Sequence, residues 1–134
     1  MSIQAYQKTA NRTADPRDVE FRLFAEVTRD LMEATKAEKH EISKVVKSLD
    51  KNRQVWNAMA MDCAQPGNAL PDDLRAGIIS LSLFVNRHTS EASRNRSEIE
   101  TLIDINRNIM QGLATAKGQG TPDDGSSDGS TAAA

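Results

Sequence analysis

The chain is short of cysteine, aromatic side chains and long apolar runs. Its 134 residues include one cysteine, Cys63, which excludes an intrachain disulfide. The longest strongly apolar run, residues 78–85, holds eight residues with two serines, whereas a membrane-spanning helix needs about 20. The opening segment MSIQAYQKTANR lacks the apolar core of a signal peptide. The sequence therefore predicts a cytoplasmic protein with no membrane span.

The chain also lacks an excess of positive charge. It has 17 basic and 19 acidic side chains, and residues 1–115 hold sixteen of each sign. A domain with no net positive field has little general attraction for a polyphosphate backbone. Only five aromatic side chains could stack on bases. The composition thus argues against direct DNA binding and disfavours RNA as a partner.

Residues that could perform catalysis or hold a metal are equally scarce. The two histidines, His40 and His88, have no second His or Cys at metal-ligand spacing, and no glycine-rich phosphate loop occurs. Cys63 follows Asp62, an acidic neighbour that does not favour a reactive thiolate. His88 lies on the apolar stripe of a predicted helix, where a hydrogen-bonded edge residue is expected. We therefore expect no enzyme activity, no catalytic residue, no metal and no cofactor.

Apolar residues that recur every three or four positions predict four principal helices. The first begins at Asp15-Pro16, because aspartate can cap a helix and proline suits its first turn. The predicted helices cover about 15–36, about 41–64, a third that begins near 71, and a fourth from about 97 to 117. Either a turn near residues 93–96 separates the third helix from the fourth, or the two form one kinked rod.

The connections between these helices are short, which predicts an all-α fold, a small antiparallel helical bundle. Residues 1–117 form the predicted domain, and Ile3, Tyr6 and Ala10 indicate a short N-terminal helix or arm. Residues 118–134 are almost wholly Gly, Ser, Thr, Asp and Ala. They cannot bury enough surface to offset chain entropy, so we predict a disordered C-terminal tail.

The second helix has an apolar stripe that includes an arginine. The apolar members of the stripe are Ile42, Val45, Val46, Leu49, Trp56, Ala60 and Cys63. Arg53 either extends to the edge of the bundle, which we favour, or pairs with an acid on a neighbouring helix. Trp56 is either the largest anchor of the core, the simpler interpretation, or part of the wall of a partner groove.

The third helix carries apolar residues on two faces. One stripe consists of Leu74, Ile78, Leu81, Val85, His88 and Ala92. Ile79 and Leu83 point nearly the opposite way. Either the other three helices enclose this helix, which we favour, or Ile79 and Leu83 border a groove for a partner. The candidate groove residues are Trp56, Ile79 and Leu83.

Five sequence segments, taken together, resemble those of a known protein family. They are AYQ at 5–7, PRDVEFRL at 16–23, NRQVW at 52–56, LRAGIISL at 74–81 with VNRHT at 85–89, and INRNIMQGL at 105–113. Together, over about residues 3–115, they resemble the FlaF family of flagellar biosynthesis regulators of alphaproteobacteria.

The resemblance implies an all-helical cytoplasmic protein that promotes flagellin production and secretion alongside the translational regulator FlbT. It implies flagellin as a partner, bound in the manner of an export chaperone, with FlbT as a second partner. An alternative is a post-transcriptional regulator of flagellin messenger RNA that acts with FlbT. A third interpretation is a helical adaptor or homodimer formed through Ile79 and Leu83.

Carried onto this chain, the family motifs mark a set of residues for tests of partner binding. They are Tyr6, Arg17, Arg22, Arg53, Trp56, Arg75, Arg87, His88 and Asn106. For Arg17 and Arg22 the simpler interpretation is a solvated helix face. For Asn106 it is a polar residue that sets the register of an apolar seam.

Overall fold

The chain folds as a bundle of four helices, as the sequence predicts. The structure is a computed structural model that describes residues 15–119, with side chains through Ala116. Its elements are α1 (Pro16–Thr35), α2 (Ile42–Cys63), α3 (Asp72–Arg94), a 3-10 turn (Arg96–Glu98) and α4 (Ile99–Gln119). The N-terminal helix or arm predicted around Tyr6, and all of the predicted tail after Gln119, lie outside the described residues.

The first helix begins where the sequence predicts because Asp15 caps it. The Oδ1 atom of Asp15 accepts a hydrogen bond from the backbone N–H of Arg17 at 2.8 Å, and Pro16 occupies the first turn. The cap satisfies one of the N–H groups that have no partner inside the helix. The predicted apolar stripe of α1 is buried; it comprises Val19, Leu23, Phe24, Val27, Leu31 and Ala34.

A loop at residues 36–41 separates α1 from α2, although no glycine or proline requires a break there. Arg96, in the turn between α3 and α4, donates hydrogen bonds to the backbone oxygens of Ala37 at 2.6 Å and Lys39 at 3.1 Å. The last carbonyl groups of a helix and the loop after it need such partners. The guanidinium of Arg96 therefore ties this loop to the turn between α3 and α4.

A turn, and not a kinked rod, joins α3 to α4. Asn95 has an extended backbone, with φ −139° and ψ 104°, which ends α3. The Oδ1 atom of Asn95 accepts a hydrogen bond from the backbone N–H of Ser97 at 3.1 Å and so caps the following 3-10 turn. The predicted start of the fourth helix near Ser97 is confirmed to within two residues, and α4 continues two residues beyond Lys117.

The four helices pack as two pairs, with α3 at the periphery. Helix α1 packs against both α2 and α4, whereas α3 packs mainly against α2 and makes a thinner contact with α4. The favoured interpretation, in which the other helices enclose α3, is wrong. One side of α3 faces solvent, and the side chains of Ile79 and Leu83 are 37% and 61% exposed.

Trp56 lies at the centre of the core and is wholly buried. Its ring meets the ring of Phe24 edge-on, with centroids 5.1 Å apart and planes at 78°. Its indole N–H donates a hydrogen bond to the Oδ1 atom of Asn106 at 2.8 Å. The Nδ2 atom of Asn106 donates to Thr28 Oγ1 at 3.0 Å and to Asn52 Oδ1 at 2.7 Å. This network links α1, α2 and α4 in one register.

Candidate protein-binding face

Most of the large apolar side chains that face solvent lie on α2 and α3. Among the described residues there are six such side chains. Five belong to these two helices: Ile42, Val46, Met61, Ile79 and Leu83. The sixth is Met32 of α1, which lies beside Arg107 of α4 and is 38% exposed. The exposed apolar surface is therefore concentrated on one helix pair.

An amide pair between α2 and α3 fixes where three of these residues lie along the seam between the two helices. The Nδ2 atom of Asn86 donates a hydrogen bond to the Oδ1 atom of Asn57 at 2.7 Å. Met61 lies four residues after Asn57, and Leu83 and Ile79 lie three and seven residues before Asn86. These spacings place Met61 on the same side of α2 as Asn57, and Ile79 and Leu83 on the same side of α3 as Asn86. Because the helices are antiparallel, all three lie toward one end of the seam.

We call this surface the α2–α3 face: Ile79 and Leu83 of α3 define it, and Met61 of α2, which also lines the cleft between the start of α1 and the end of α2, lies toward the same end of the seam. The sequence places Ile42 and Val46 on the inner stripe of the second helix, and this expectation is wrong. Both side chains are exposed because they lie at the flank of the stripe that Val45 and Leu49 occupy. They lie near the start of α2, 19 and 15 residues before Met61, and so at the opposite end of that helix.

Charged and small residues border the α2–α3 face. Arg53 is half-buried and its Nη2 atom lies 2.6 Å from Asp50 Oδ1, so it pairs with an acid of its own helix and not of a neighbour. The hydrogen bonds from Arg53 and Gln54 hold the pKa of Asp50 below its ordinary value. Arg87 is exposed, as is Ala76, whose short side chain lets a partner approach closely. The face therefore has an apolar centre with arginines at its margin.

Two of the residues singled out by the sequence serve the core and not a surface. Trp56 and Asn106 have no exposed area and hydrogen-bond each other. The alternative in which Trp56 forms the wall of an open groove is wrong, because its indole is enclosed between α1 and α4. Asn106 fits the register-setting interpretation.

Arg75 and His88 join elements of the bundle. The Nε atom of Arg75 donates to the backbone oxygen of Cys63 at 3.0 Å, which satisfies a carbonyl group at the end of α2. The ring of His88 stacks on Phe84, with centroids 5.0 Å apart. Its Nε2 atom lies 3.1 Å from the Oε1 atom of Glu98 and 3.2 Å from the backbone oxygen of the same residue. The expectation of a hydrogen-bonded edge histidine is confirmed.

Arg17 is not on a solvated helix face, which corrects that expectation. Its Nη1 atom lies 3.0 Å from the Oε1 atom of Glu20, whose side chain is only 7% exposed. Burial raises the pKa of Glu20 to about 7; the nearby Arg17 opposes the shift, and the charges of Asp62 and Asp15 add to it. Arg22, in contrast, is exposed as expected.

The raised pKa of Glu20 predicts that the protein loses stability as the pH rises from about 5 to about 7. The folded state holds the proton up to about pH 7, whereas the unfolded chain releases it near 4.5. The free energy of unfolding should therefore fall through this window, by up to about 3 kcal/mol, and level off above it. Chemical denaturation at a series of pH values measures the slope.

Glu20→Gln is the matched variant for this measurement, since it has the same shape and does not titrate. Its free energy of unfolding should vary less between pH 5 and 7, even if its absolute stability is lower because Arg17 loses an anionic partner. Identical slopes for the two proteins would show that Glu20 is not the group responsible.

The sequence reasoning missed Met61 and Glu20. Met61 lies outside the apolar stripe of α2, so periodicity alone gives it no role, and only the structure shows that its side chain is 65% exposed. Glu20 carried a usable signal. It lies three, four and seven residues before Leu23, Phe24 and Val27, which is the spacing of a buried position.

Two further features are absent from the part of the chain that the structure describes. No group of three or more His, Cys, Asp and Glu side chains is placed to hold a metal ion there. None of the helices in this part combines the length and the apolar character needed to cross a bilayer.

Comparison with known proteins relates the chain to a protein family. The family model described as flagellar protein FlaF matches residues 2–113. No curated protein and no solved structure was found to match the chain. The family match covers all of α1, α2 and α3 and most of α4.

Proposed function

This chain belongs to the FlaF family of flagellar proteins, and we propose that it binds flagellin as an export chaperone and thereby promotes flagellin synthesis and secretion. The proposed role is binding without catalysis. It requires the protein to meet newly made flagellin in the cytoplasm before export.

The observation that carries the proposal is the apolar α2–α3 face. Leu83 and Ile79 are 61% and 37% exposed and, four residues apart, share one side of α3; Met61 of α2 is 65% exposed. Clustered apolar side chains rimmed by charge are typical of surfaces that bind another protein. An amphipathic helix can place residues at i, i+3, i+4 and i+7 into such a surface. A chaperone needs a surface of this kind to cover an apolar flagellin helix before assembly.

A complex between the full chain and flagellin is the direct prediction of this proposal. Flagellin from the same organism, shortened to prevent polymerisation, is mixed with the purified protein and separated by size-exclusion chromatography with light scattering. We expect a complex of defined mass at micromolar concentrations. Separate elution of two folded proteins would contradict the proposal.

The alternative function, regulation of flagellin messenger RNA together with FlbT, has weaker support. The densest basic group on α2 consists of Lys44, Lys47 and Lys51. Asp30 and Glu33 of α1 border the same depression, and the Lys51 Nζ atom lies 3.7 Å from Asp30 Oδ2. Opposed carboxylates weaken the field that would attract a phosphate backbone. A gel-shift measurement with the flagellin leader transcript at low salt separates the alternatives, because only the RNA model expects binding.

A further inference from the structure

A groove runs between the start of α3 and the last turns of α4, away from the turn that joins these helices. It has a volume of about 600 Å³. Its most buried lining residues are apolar or small: Leu74 and Gly112 are half-buried and Ala116 is buried. The remaining lining residues are exposed and mostly polar: Pro71, Asp73, Asn108, Gln111 and Thr115. The groove therefore has an apolar floor between polar rims.

The floor of the groove is where α3 and α4 touch. A Cβ atom at position 112 would lie 3.2 Å from the Cδ1 atom of Leu74, so the leucine packs against α4 where glycine offers no side chain. The contact between the two helices is otherwise thin, because α3 packs mainly against α2. The groove above Leu74 and Gly112 is therefore open to solvent.

The charged side chains along the groove are carboxylates. Asp73 lines it at the start of α3. Asp104 lies four and seven residues before Asn108 and Gln111, which places it on the same side of α4 as these two lining residues. Glu100 continues this side of α4 by one more turn, and both acids are exposed. Carboxylates therefore border the groove on both helices.

The cations of the two helices are directed elsewhere. Among the described residues that line the groove there is no lysine, arginine or histidine. Arg75 donates to the backbone at the end of α2, and Arg107 lies against Met32 of α1. Arg87 is about four turns along α3 from Asp73. The charge of the groove therefore favours a cationic occupant.

We propose that this groove binds a basic amphipathic helix of a second protein. The apolar side of that helix packs on Leu74, Gly112 and Ala116, and its lysine or arginine residues pair with Asp73 and Asp104. Two neighbouring helices leave between them a groove into which the side chains of a third helix fit. Residues 104–115 span about 17 Å of α4, which gives room for about three turns of the bound helix.

The groove is separate from the α2–α3 face. Leu83 follows Leu74 by nine residues, which turns it to the opposite side of α3. One partner can therefore occupy the α2–α3 face while a second helix occupies the groove, with α3 between them. The bundle then acts as an adaptor that joins two proteins.

An NMR titration of the full-length chain with two synthetic peptides tests the groove. Both peptides have leucines at i, i+4, i+7 and i+11 of a helix, and they differ only in the flanking residues, which are lysine in one and glutamate in the other. The lysine peptide should shift the backbone amide signals of residues 73–77 and 104–115. It should bind at least roughly 10-fold more tightly than the glutamate peptide, because the carboxylates attract one flank and repel the other. The signals of residues 44–51 in α2 serve as the internal reference.

Asp104→Lys and Glu26→Lys separate the charge of the groove from the net charge of the protein. Both positions are exposed and both variants replace an acid by a base, but Glu26 lies on α1. Asp104→Lys should weaken the binding of the lysine peptide by at least roughly 5-fold, and Glu26→Lys should leave it unchanged. The dispersion of the amide spectrum verifies that both variants fold.

Four results would overturn the proposal. They are no binding of the lysine peptide, equal affinities for the two peptides, equal losses in the two variants, and amide shifts at residues 79–83 in place of those along the groove. Flagellin is absent from the experiment, so its outcome is independent of the proposed function.

Discussion

Leu83→Asp should weaken the binding of flagellin by at least roughly 30-fold and leave the bundle intact. The substitution places a charge at the centre of the α2–α3 face, where a partner would exclude water. Residues at the centre of an interface commonly contribute 2 kcal/mol or more, which corresponds to the stated factor. The fold should tolerate the change because the Leu83 side chain is 61% exposed. Titration calorimetry gives the affinity, and circular dichroism verifies the fold.

Met32→Asp is the matched control for this prediction. Met32 is 38% exposed, close to the value for Ile79, but it lies beside Arg107 on the opposite helix pair. A charge at position 32 should leave the affinity for flagellin unchanged. Equal losses of affinity for Leu83→Asp and Met32→Asp would mean that both substitutions act through stability or solubility. The assignment of flagellin binding to the α2–α3 face would then fail.

Asn106→Leu should lower the free energy of unfolding by about 3 kcal/mol, a large part of the stability of a domain of this size. Leucine removes the acceptor of the Trp56 indole N–H and the donor to Thr28 and Asn52. Each buried polar group left without a partner costs about 1–3 kcal/mol. Urea denaturation followed by far-ultraviolet circular dichroism measures the change, and this signal is retained when Trp56 is replaced.

A double-mutant cycle with Trp56→Phe separates the hydrogen bond from the other consequences of these substitutions. Phenylalanine has no N–H group, so Asn106→Leu should be less destabilising in the Trp56→Phe background. The expected coupling is roughly 0.5–3 kcal/mol. Additive losses would show that the hydrogen bond between Trp56 and Asn106 contributes nothing to stability.

The helix bounds were predictable because local chemistry determines them. Asp15 and Pro16 begin α1 through groups that lie next to each other in the sequence. The breaker residues at 65–68 end α2 for the same reason, since Gly67 adopts a positive φ that other residues avoid. The predicted apolar stripe of α1 is also correct, because residues at i, i+3, i+4 and i+7 share one side of any α-helix.

The exposed side of α3 was not predictable, because periodicity gives the faces of a helix and not its neighbours. Ile79 and Leu83 have the same pattern whether or not another helix covers them. The deciding fact is that α3 packs mainly against α2, which is a property of the whole bundle. The sequence could not decide whether Trp56 lies in the core or in a groove wall for a similar reason. The acceptor of its indole N–H, Asn106, is 50 residues away in the sequence.

The central claim is that this FlaF-family chain binds flagellin through the α2–α3 face, and site-specific crosslinking in the cell tests it most directly. A photoreactive apolar amino acid replaces Leu83 in one strain and Met32 in another, and both proteins are irradiated during flagellar assembly. We predict a covalent adduct with flagellin from position 83 and none from position 32. Equal adducts from both positions, or adducts from position 32 alone, would contradict the claim.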